Sequence, residues 1–289
     1  MRRKPRFITI LTTLLFVVGV GVMLYPKISD WYVRRQLQQT LSQYNTVAET
    51  EQADYSEMWK AAEEYNRKLA QRENQFAVSD DEMTEISGLL NPMETGMMGR
   101  IDIDRISVHL PLYQGTDEAD LQAGAGWWIG TSLPTGGEST HCVITAHTGL
   151  VRAKMFTDLD QMETGDTFSL TILDRILTYE VDQILVTDPN EIEPLLIVDG
   201  EDYCTLYTCY PYGVNTERLL VRGRRIPTPE MAEMAVNELN AGEVPLWGIG
   251  IAVGAVAATG GAIFWHGKRR KAVQNNGKTE TDKKEGNGS

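Results

Sequence analysis

The chain has 289 residues, of which 42% are apolar, and this suits one good-sized domain with accessory segments. It carries 40 acidic against 27 basic residues, a net charge of −13, and such an excess disfavours nucleic acid and anionic lipid surfaces as partners. The three cysteines, Cys142, Cys204 and Cys209, are too few for a disulfide scaffold, and the odd count leaves at least one thiol outside any internal pair.

Two uncharged apolar stretches, residues 7–25 and 246–265, are predicted to be transmembrane helices, because each has close to the ~20 residues that a helix needs to cross a bilayer. The first could instead be a cleaved signal peptide, but its apolar run exceeds the usual ~7–15 residues and no A-x-A-like site precedes Pro26. Basic residues lie in the end segment 1–6 and in the tail 266–289, which predicts that both ends are cytoplasmic. Residues 26–245, with 16 basic and 37 acidic residues and a net charge of −21, are then extracellular.

Residues 26–98 are predicted to form a helical segment followed by a linker over the domain. Apolar residues recur every three or four positions, which indicates one or two amphipathic helices packed on the domain or on a helical neighbour; these residues are Tyr55, Met58, Ala62, Tyr65 and Leu69. Residues 75–98 are mixed in composition and include the turn-prone pair Asn91-Pro92.

Residues 99–227 are predicted to form a mainly β catalytic domain. Short apolar or alternating runs broken by Gly, Pro and Asp are typical of strands; they cover residues 99–103, 107–113, 141–147, 167–173, 177–187, 203–209 and 218–226. With only a short helical patch around residues 153–162, seven or eight strands favour a closed barrel, which has no exposed strand edges. Residues 228–245 are predicted to be a helical linker, and the tail 266–289 is too charged and too rich in Gly and Asn to fold alone.

Three chemically capable side chains fall at predicted strand ends. Cys209 closes one strand before Pro211 and Gly213, His147 closes another, and Arg218 opens a third. A nucleophilic cysteine needs a base or a cation beside it, because the thiolate is the reactive form. The pattern alone leaves open whether the three ends meet, since a strand-end His or Arg is also common on a plain surface.

The segments around these residues resemble the signature of the sortase family of cysteine transpeptidases: Thr205-Leu206-Tyr207-Thr208-Cys209, Arg218 nine residues later, and Thr145-Ala146-His147. The resemblance covers about 130 residues and is similar to class C, the pilin-polymerising sortases. Further segments that carry it are residues 111–113, 130–134, 156–159, 165–166 and 215–223. It implies a closed, eight-stranded sortase barrel, with N-terminal helices and two flanking transmembrane helices.

The resemblance also implies a two-step transpeptidation on the LPXTG-like sorting signal of a secreted protein, with no cofactor. In it Cys209 is the nucleophile, His147 the acid/base and Arg218 the oxyanion stabiliser, and the acceptor of a class C enzyme is a pilin Lys amine. Two alternatives are a housekeeping sortase that joins surface proteins to peptidoglycan, and an inactive membrane scaffold for pilins. The oligomeric state is left open.

The chain departs from many class C members beside the catalytic residues, where it has Thr148, Tyr210 and Glu217. The predicted substrate-binding residues are Thr208, Tyr210, Glu217 and Trp127. For Trp127, and for its neighbour Trp128, the alternative is packing under the Gly-rich turn around them.

Class C enzymes often carry an Asp-Pro-aromatic lid over the active site, and this chain lacks that tripeptide. The lid is therefore loose or absent, or it is formed by Phe76 or by Asn91-Pro92-Met93.

Cys142 and Cys204 each lie five residues before a catalytic residue, on strands that sortases place side by side and parallel. They are expected to sit level, either as a disulfide or as a buried thiol pair. His109 and His141 are expected to be structural or merely exposed. Neither pairs with a cysteine at metal-ligand spacing, so no metal site is predicted.

Overall fold

A computed structural model of the chain describes residues 4–48, 54–150 and 153–228. The expected second transmembrane helix at 246–265, the tail 266–289 and residues 229–245 of the expected linker lie outside these described residues.

Three helices precede the barrel: α1 Lys4–Ala48, α2 Ser56–Leu69 and α3 Asp80–Ser87. α1 is continuous over 45 residues and includes Pro26, where the sequence interpretation divided the membrane helix from the segment after it. A proline removes one backbone hydrogen bond, and the remaining bonds of a long helix persist on either side. Among the described residues one helix, Leu11–Ala48, is long and apolar enough to cross a membrane, with a mean hydropathy of 1.8 in its most apolar window. This is consistent with membrane anchoring.

α2 packs the predicted apolar stripe against the barrel. Trp59, Ala62, Tyr65 and Leu69 are buried in the main core. Asn66, on the same face, donates to the Leu133 carbonyl at 3.0 Å and accepts from the Leu133 N–H at 2.7 Å. The prediction that this amphipathic segment packs on the domain is confirmed.

The remaining elements form the barrel and its connections. The strands are β1 Met97–Ile103, β2 Val108–Gln114, β3 Ala125–Trp127, β4 Thr140–Thr145, β5 Thr167–Ile172, β6 Arg175–Thr187, β7 Asp202–Tyr210 and β8 Glu217–Ile226. A short helix, α4 Glu118–Ala123, joins β2 to β3. Single 3-10 turns lie at Asp104–Ile106, Leu159–Gln161 and Glu193–Leu195.

The eight strands close into a barrel in the order β1-β2-β3-β4-β7-β8-β6-β5, with β5 paired to β1. The pairs β2/β3 and β4/β7 are parallel, and the other pairs are antiparallel. The predicted closed eight-stranded barrel is confirmed. The helical patch predicted around residues 153–162 is wrong, because Met155 has a φ of 42°, outside the α-helical region, and only the turn Leu159–Gln161 is helical.

Strands β4, β7 and β8 bury side chains on both faces. Their inward residues, such as Ile144, Leu206 and Val221, belong to the main core. Their outward residues Val143, Tyr207 and Leu220 form a second apolar cluster with Leu195. We call this outer surface of β4, β7 and β8 the site face.

Candidate active site

Cys209, His147 and Arg218 lie at neighbouring strand ends. Cys209 and Arg218 are direct partners in the antiparallel ladder between β7 and β8. β4 runs parallel to β7 with Thr145 opposite Tyr207, and two further residues on each strand lead to His147 and Cys209. Because a parallel register advances both strands together, these two residues come to the same level. The structure thus brings the three predicted catalytic residues to one edge of the barrel.

Cys209 and Arg218 face outward, on the site face. Successive strand residues point to opposite faces, so the outward Tyr207 is followed by the buried Thr208 and then by Cys209. Burial raises the pKa of Tyr207, and the nearby positive charge of Arg218 opposes that rise. Cys209 is half-buried and carries a free thiol. A substrate carbonyl that reaches the thiol therefore also lies near the guanidinium.

One hydrogen bond joins the strand of the nucleophile to the strand of the histidine. Thr208 Oγ1 donates to the Ala146 carbonyl at 2.7 Å, and both residues are buried. They directly precede Cys209 and His147 in the chain. The sequence predicts a substrate contact for Thr208, but the structure buries its hydroxyl in this bond, which sets the relative positions of the two catalytic residues.

His147 stands on a tight turn after β4. Its carbonyl accepts from the Phe156 N–H at 3.0 Å. Gly149 has a φ of 76°, and a Cβ there would lie 3.4 Å from the Tyr212 ring, so the turn favours glycine. The His147 side chain is 27% exposed, and its Nε2 lies 3.5 Å from Glu118 Oε2. The imidazole is held by its backbone and is partly open to the site.

Arg218 is anchored by its own turn and keeps donors for a ligand. Its Nη1 donates to the carbonyls of Asn215 at 3.1 Å and Glu217 at 2.9 Å. A guanidinium has five N–H donors, so others can reach an oxyanion formed beside Cys209.

Tyr210 and Glu217, two of the predicted substrate-binding residues, are register partners one position beyond the Cys209–Arg218 pair. Since adjacent strand residues alternate in direction, both point to the opposite side from Cys209 and Arg218. Tyr210 packs against the main core, and Glu217 is exposed. The structure therefore does not place their side chains with the catalytic residues.

Of the two neighbouring tryptophans, Trp127 lies in the core and Trp128 lies on the site face. Trp127 is fully buried, and its Nε1 donates to the Ser132 carbonyl at 2.9 Å, so the packing alternative is the observed one. Trp128 packs edge-on against Tyr207, with ring centroids 4.9 Å apart, and joins the cluster on the site face. The alternation of strand residues could have indicated that Trp128, and not Trp127, faces the site, but β3 has only three residues and its pattern was too short to recognise.

The segment between β6 and β7 packs along the site face and forms one wall of it. Leu195 is buried in its cluster. His141 Nδ1 lies 2.9 Å from the Leu196 carbonyl and its Nε2 lies 2.7 Å from Thr205 Oγ1. Burial lowers the pKa of His141 to about 4, so at neutral pH the ring is uncharged and joins this wall to β4 and β7. His141 is structural, as predicted. His109 is also paired, with Nδ1 2.9 Å from Asp102 Oδ1.

The two lid candidates lie in different places. Phe76 packs into the cluster on the site face. Its neighbour Gln75 donates to the Gly130 carbonyl at 3.2 Å and accepts from the Ile197 N–H at 3.0 Å. Met93, by contrast, packs against a cluster formed by α1 and β1, and Asn91 caps α3 through the Ser87 carbonyl. Of the two candidates, only Phe76 reaches the site face.

Cys142 and Cys204 sit level on the parallel strands β4 and β7, as expected from the resemblance. Both are buried, and both are free thiols, so the pair is not a disulfide in this structure. Burial raises the pKa of Cys204 well above its usual value, with Cys142 adding to the effect. A buried thiol in apolar surroundings is inert, whereas Cys209 is half-buried.

Comparisons with known proteins agree with this geometry. A family model described as the Sortase domain matches residues 101–226. The crystal structure of sortase C1 from Streptococcus agalactiae is 40% identical, with a TM-score of 0.64, over 66% of this chain and 100% of that chain. The structure of Streptococcus pneumoniae sortase C, described for its catalysis and pilin substrate specificity, is 43% identical, with a TM-score of 0.55, over 67% of this chain and 96% of that chain. Sortase D of Bacillus subtilis (strain 168) is 28% identical over 46% of this chain and 66% of that protein.

An alignment at 40% identity that covers the whole of a solved sortase shows that the chain belongs to the sortase family of cysteine transpeptidases. Its structural neighbours are class C sortases, at 37% to 43% identity. The class C prediction, made from the resemblance over about 130 residues, is thereby confirmed.

Proposed function

We propose that the enzyme cleaves an LPXTG-like sorting signal through a thioacyl intermediate on Cys209 and joins the acyl group to a Lys amine of a pilin. The observation that carries the proposal is the level placement of Cys209, Arg218 and His147 at one edge of the barrel. The similarity to class C structures supports pilus assembly, and the housekeeping role has no stronger support. The complete catalytic set argues against an inactive scaffold.

In the first step the Cys209 thiolate attacks the carbonyl carbon of the signal's Thr. The carbonyl oxygen becomes an oxyanion, which Arg218 stabilises; removing one such donor typically costs about 10²–10³ in rate. The C–N bond to Gly then breaks as the His147 imidazolium gives its proton to the leaving amine. The products are a thioester on Cys209, a free Gly amine and neutral His147.

In the second step the acceptor Lys amine attacks the thioester carbonyl. His147 takes a proton from the attacking amine, the C–S bond breaks, and the Cys209 thiolate leaves. The products are an isopeptide bond and the thiolate–imidazolium enzyme, ready for a new signal. The net charge of −21 between residues 26 and 245 favours the approach of a cationic Lys.

The sorting signal lies on the site face in this proposal. The partly buried Trp128 offers an apolar ring for the Leu and Pro of the motif, above the buried Tyr207 and Leu220. Phe76 occupies part of the same surface and acts as the lid, in place of the Asp-Pro-aromatic tripeptide.

The enzyme is anchored by α1 and by a second span at 246–265, with both ends cytoplasmic and the barrel outside the cell. The most apolar window of the helix Leu11–Ala48 is unburied, which supports the first anchor. Protease added to intact protoplasts is expected to remove the barrel and to leave a tag on the chain's C-terminus protected. Loss of that tag under the same conditions would contradict the two-span topology.

The acceptor is tested by mixing the full-length enzyme in detergent with a pilin and with a Lys→Ala variant of the pilin's acceptor residue. Covalent ladders on a denaturing gel are expected with the first and not with the second. Ladders that persist without the acceptor Lys, or joining only to peptidoglycan-type amines, would overturn the pilin proposal and favour the housekeeping role.

A further inference from the structure

The imidazole of His147 has one acidic neighbour that the sequence did not single out. Its Nε2 is buried and has no hydrogen-bond partner among the described residues. Glu118 Oε2 lies 3.5 Å from that nitrogen, slightly beyond a good N–H···O bond. A movement of roughly 0.5 Å by either side chain would bring the two into hydrogen-bond range.

Glu118 is held where it can face His147. It is the first residue of α4, and Gln122, one turn later, donates from Nε2 to Glu118 Oε1. α4 packs closely on β3, since a Cβ at Gly126 would lie 3.1 Å from Leu121 Cδ2. Glu118 Oε1 thus accepts from Gln122, and Oε2 is the oxygen that lies 3.5 Å from the imidazole.

We propose that Glu118 is a positioning residue for His147, which orients the imidazole toward the leaving amine of the substrate. This inference rests on the proposed function, in which His147 gives a proton to that amine. Catalytic bases beside a nucleophile are commonly oriented by such a third group.

Other groups around His147 carry charge as well. Cys209 on β7 and Arg218 on β8 lie at the same edge of the barrel, and Asp117 and Asp120 flank Glu118 in the chain. The Asp120 carboxylate is directed toward Gly115, and burial raises the pKa of Tyr113, with Asp120 adding to the rise. Among the described residues, Glu118 is the carboxylate that the structure pairs with the His147 ring.

The expected effect is modest because Glu118 is 68% exposed, and water screens ion pairs at the surface. Exposed pairs typically shift an equilibrium by about two- to fivefold. The substitution E118Q keeps the shape of the side chain and removes the charge. It should lower the rate of acylation by about two- to fivefold.

The experiment compares full-length wild type, E118Q, E118D and D117N in detergent, with a sorting-signal peptide as substrate from pH 5 to 10. D117N is the matched control, because Asp117 is exposed, precedes Glu118 and loses the same charge. E118D keeps the charge and is expected to fall between wild type and E118Q. A lower acylation rate in E118Q, with a wild-type rate in D117N, supports the inference.

Two outcomes overturn it. Identical pH–rate profiles for wild type and E118Q would show that the carboxylate does not act on His147. Equal losses of rate in E118Q and D117N would show only a general field effect of the acidic helix. Failure of wild type itself to form an acyl-enzyme would instead refute the proposed function, so the two failures are distinguishable. Thermal unfolding of each variant controls for loss of fold.

Discussion

The hydrogen bond from Thr208 to the Ala146 carbonyl is the most direct structural link between the nucleophile and the acid/base. The substitution T208V keeps the branched shape of the side chain and removes the donor. The bond is 2.7 Å long and buried, so its loss leaves a buried carbonyl without this partner. Such a loss costs about 1–3 kcal/mol of unfolding free energy.

We expect T208V to lower the acylation rate by more than its loss of stability alone would explain. Thr208 and Ala146 directly precede Cys209 and His147, so a looser contact between β7 and β4 displaces the two catalytic side chains relative to each other. A misplacement of about 1 Å can cost up to 10²-fold in rate. We expect T208V to acylate about ten- to a hundredfold more slowly than wild type.

The assay measures thioester formation with a sorting-signal peptide and thermal unfolding, both on the full-length protein in detergent. T208S keeps the hydroxyl and should retain most of the rate. T178V is the matched control, since Thr178 is buried on β6 and donates to Thr228 Oγ1 at 3.2 Å, away from the three catalytic residues. A T208V enzyme that loses stability but acylates at the wild-type rate would refute the reasoning.

Three further predictions concern the walls and core of the site. Burial lowers the pKa of His141 to about 4, so the folded ring stays neutral at pH values where the unfolded chain, with a His pKa of about 6.5, already binds a proton. The free energy of unfolding is therefore highest above about pH 6.5 and falls by roughly 3 kcal/mol as the pH drops toward 4. H141Q should flatten this dependence when unfolding is measured against pH. Mass spectrometry of non-reduced peptides should find Cys142 and Cys204 as free thiols, and a bridged peptide would contradict the buried thiol pair. F76A should speed peptide acylation by uncovering the site face, whereas M93A, on the side of α1, should not; equal rates in F76A and wild type would contradict a lid at this position.

Much of the barrel could be predicted from the sequence. A half-buried strand alternates apolar and polar residues, a fully buried strand is a short apolar run, and both are bounded by Gly and Pro. The same pattern placed Cys209, His147 and Arg218 at strand ends. It could not show that these ends meet, since their contact depends on the parallel pairing of β4 with β7, two strands that are about 60 residues apart in the chain.

The misses have physical causes. α3 has a capping signal, with Ser79 Oγ accepting from the Glu82 N–H at 3.4 Å, and its Asp-rich first turn was interpreted as linker. β3 has three residues and α4 has six, so neither is long enough to show a period. The Glu118–His147 contact joins the start of α4 to the end of β4, and no spacing within the sequence could have indicated it.

The most direct test of the central claim is to mix the full-length enzyme with an LPXTG-like peptide and to identify the acylated residue by mass spectrometry. The account predicts a thioester on Cys209 in wild type, none in C209A, and little or none in R218A, with both variants still folded. Thioester on another cysteine, or peptide cleavage that persists in C209A, would contradict it.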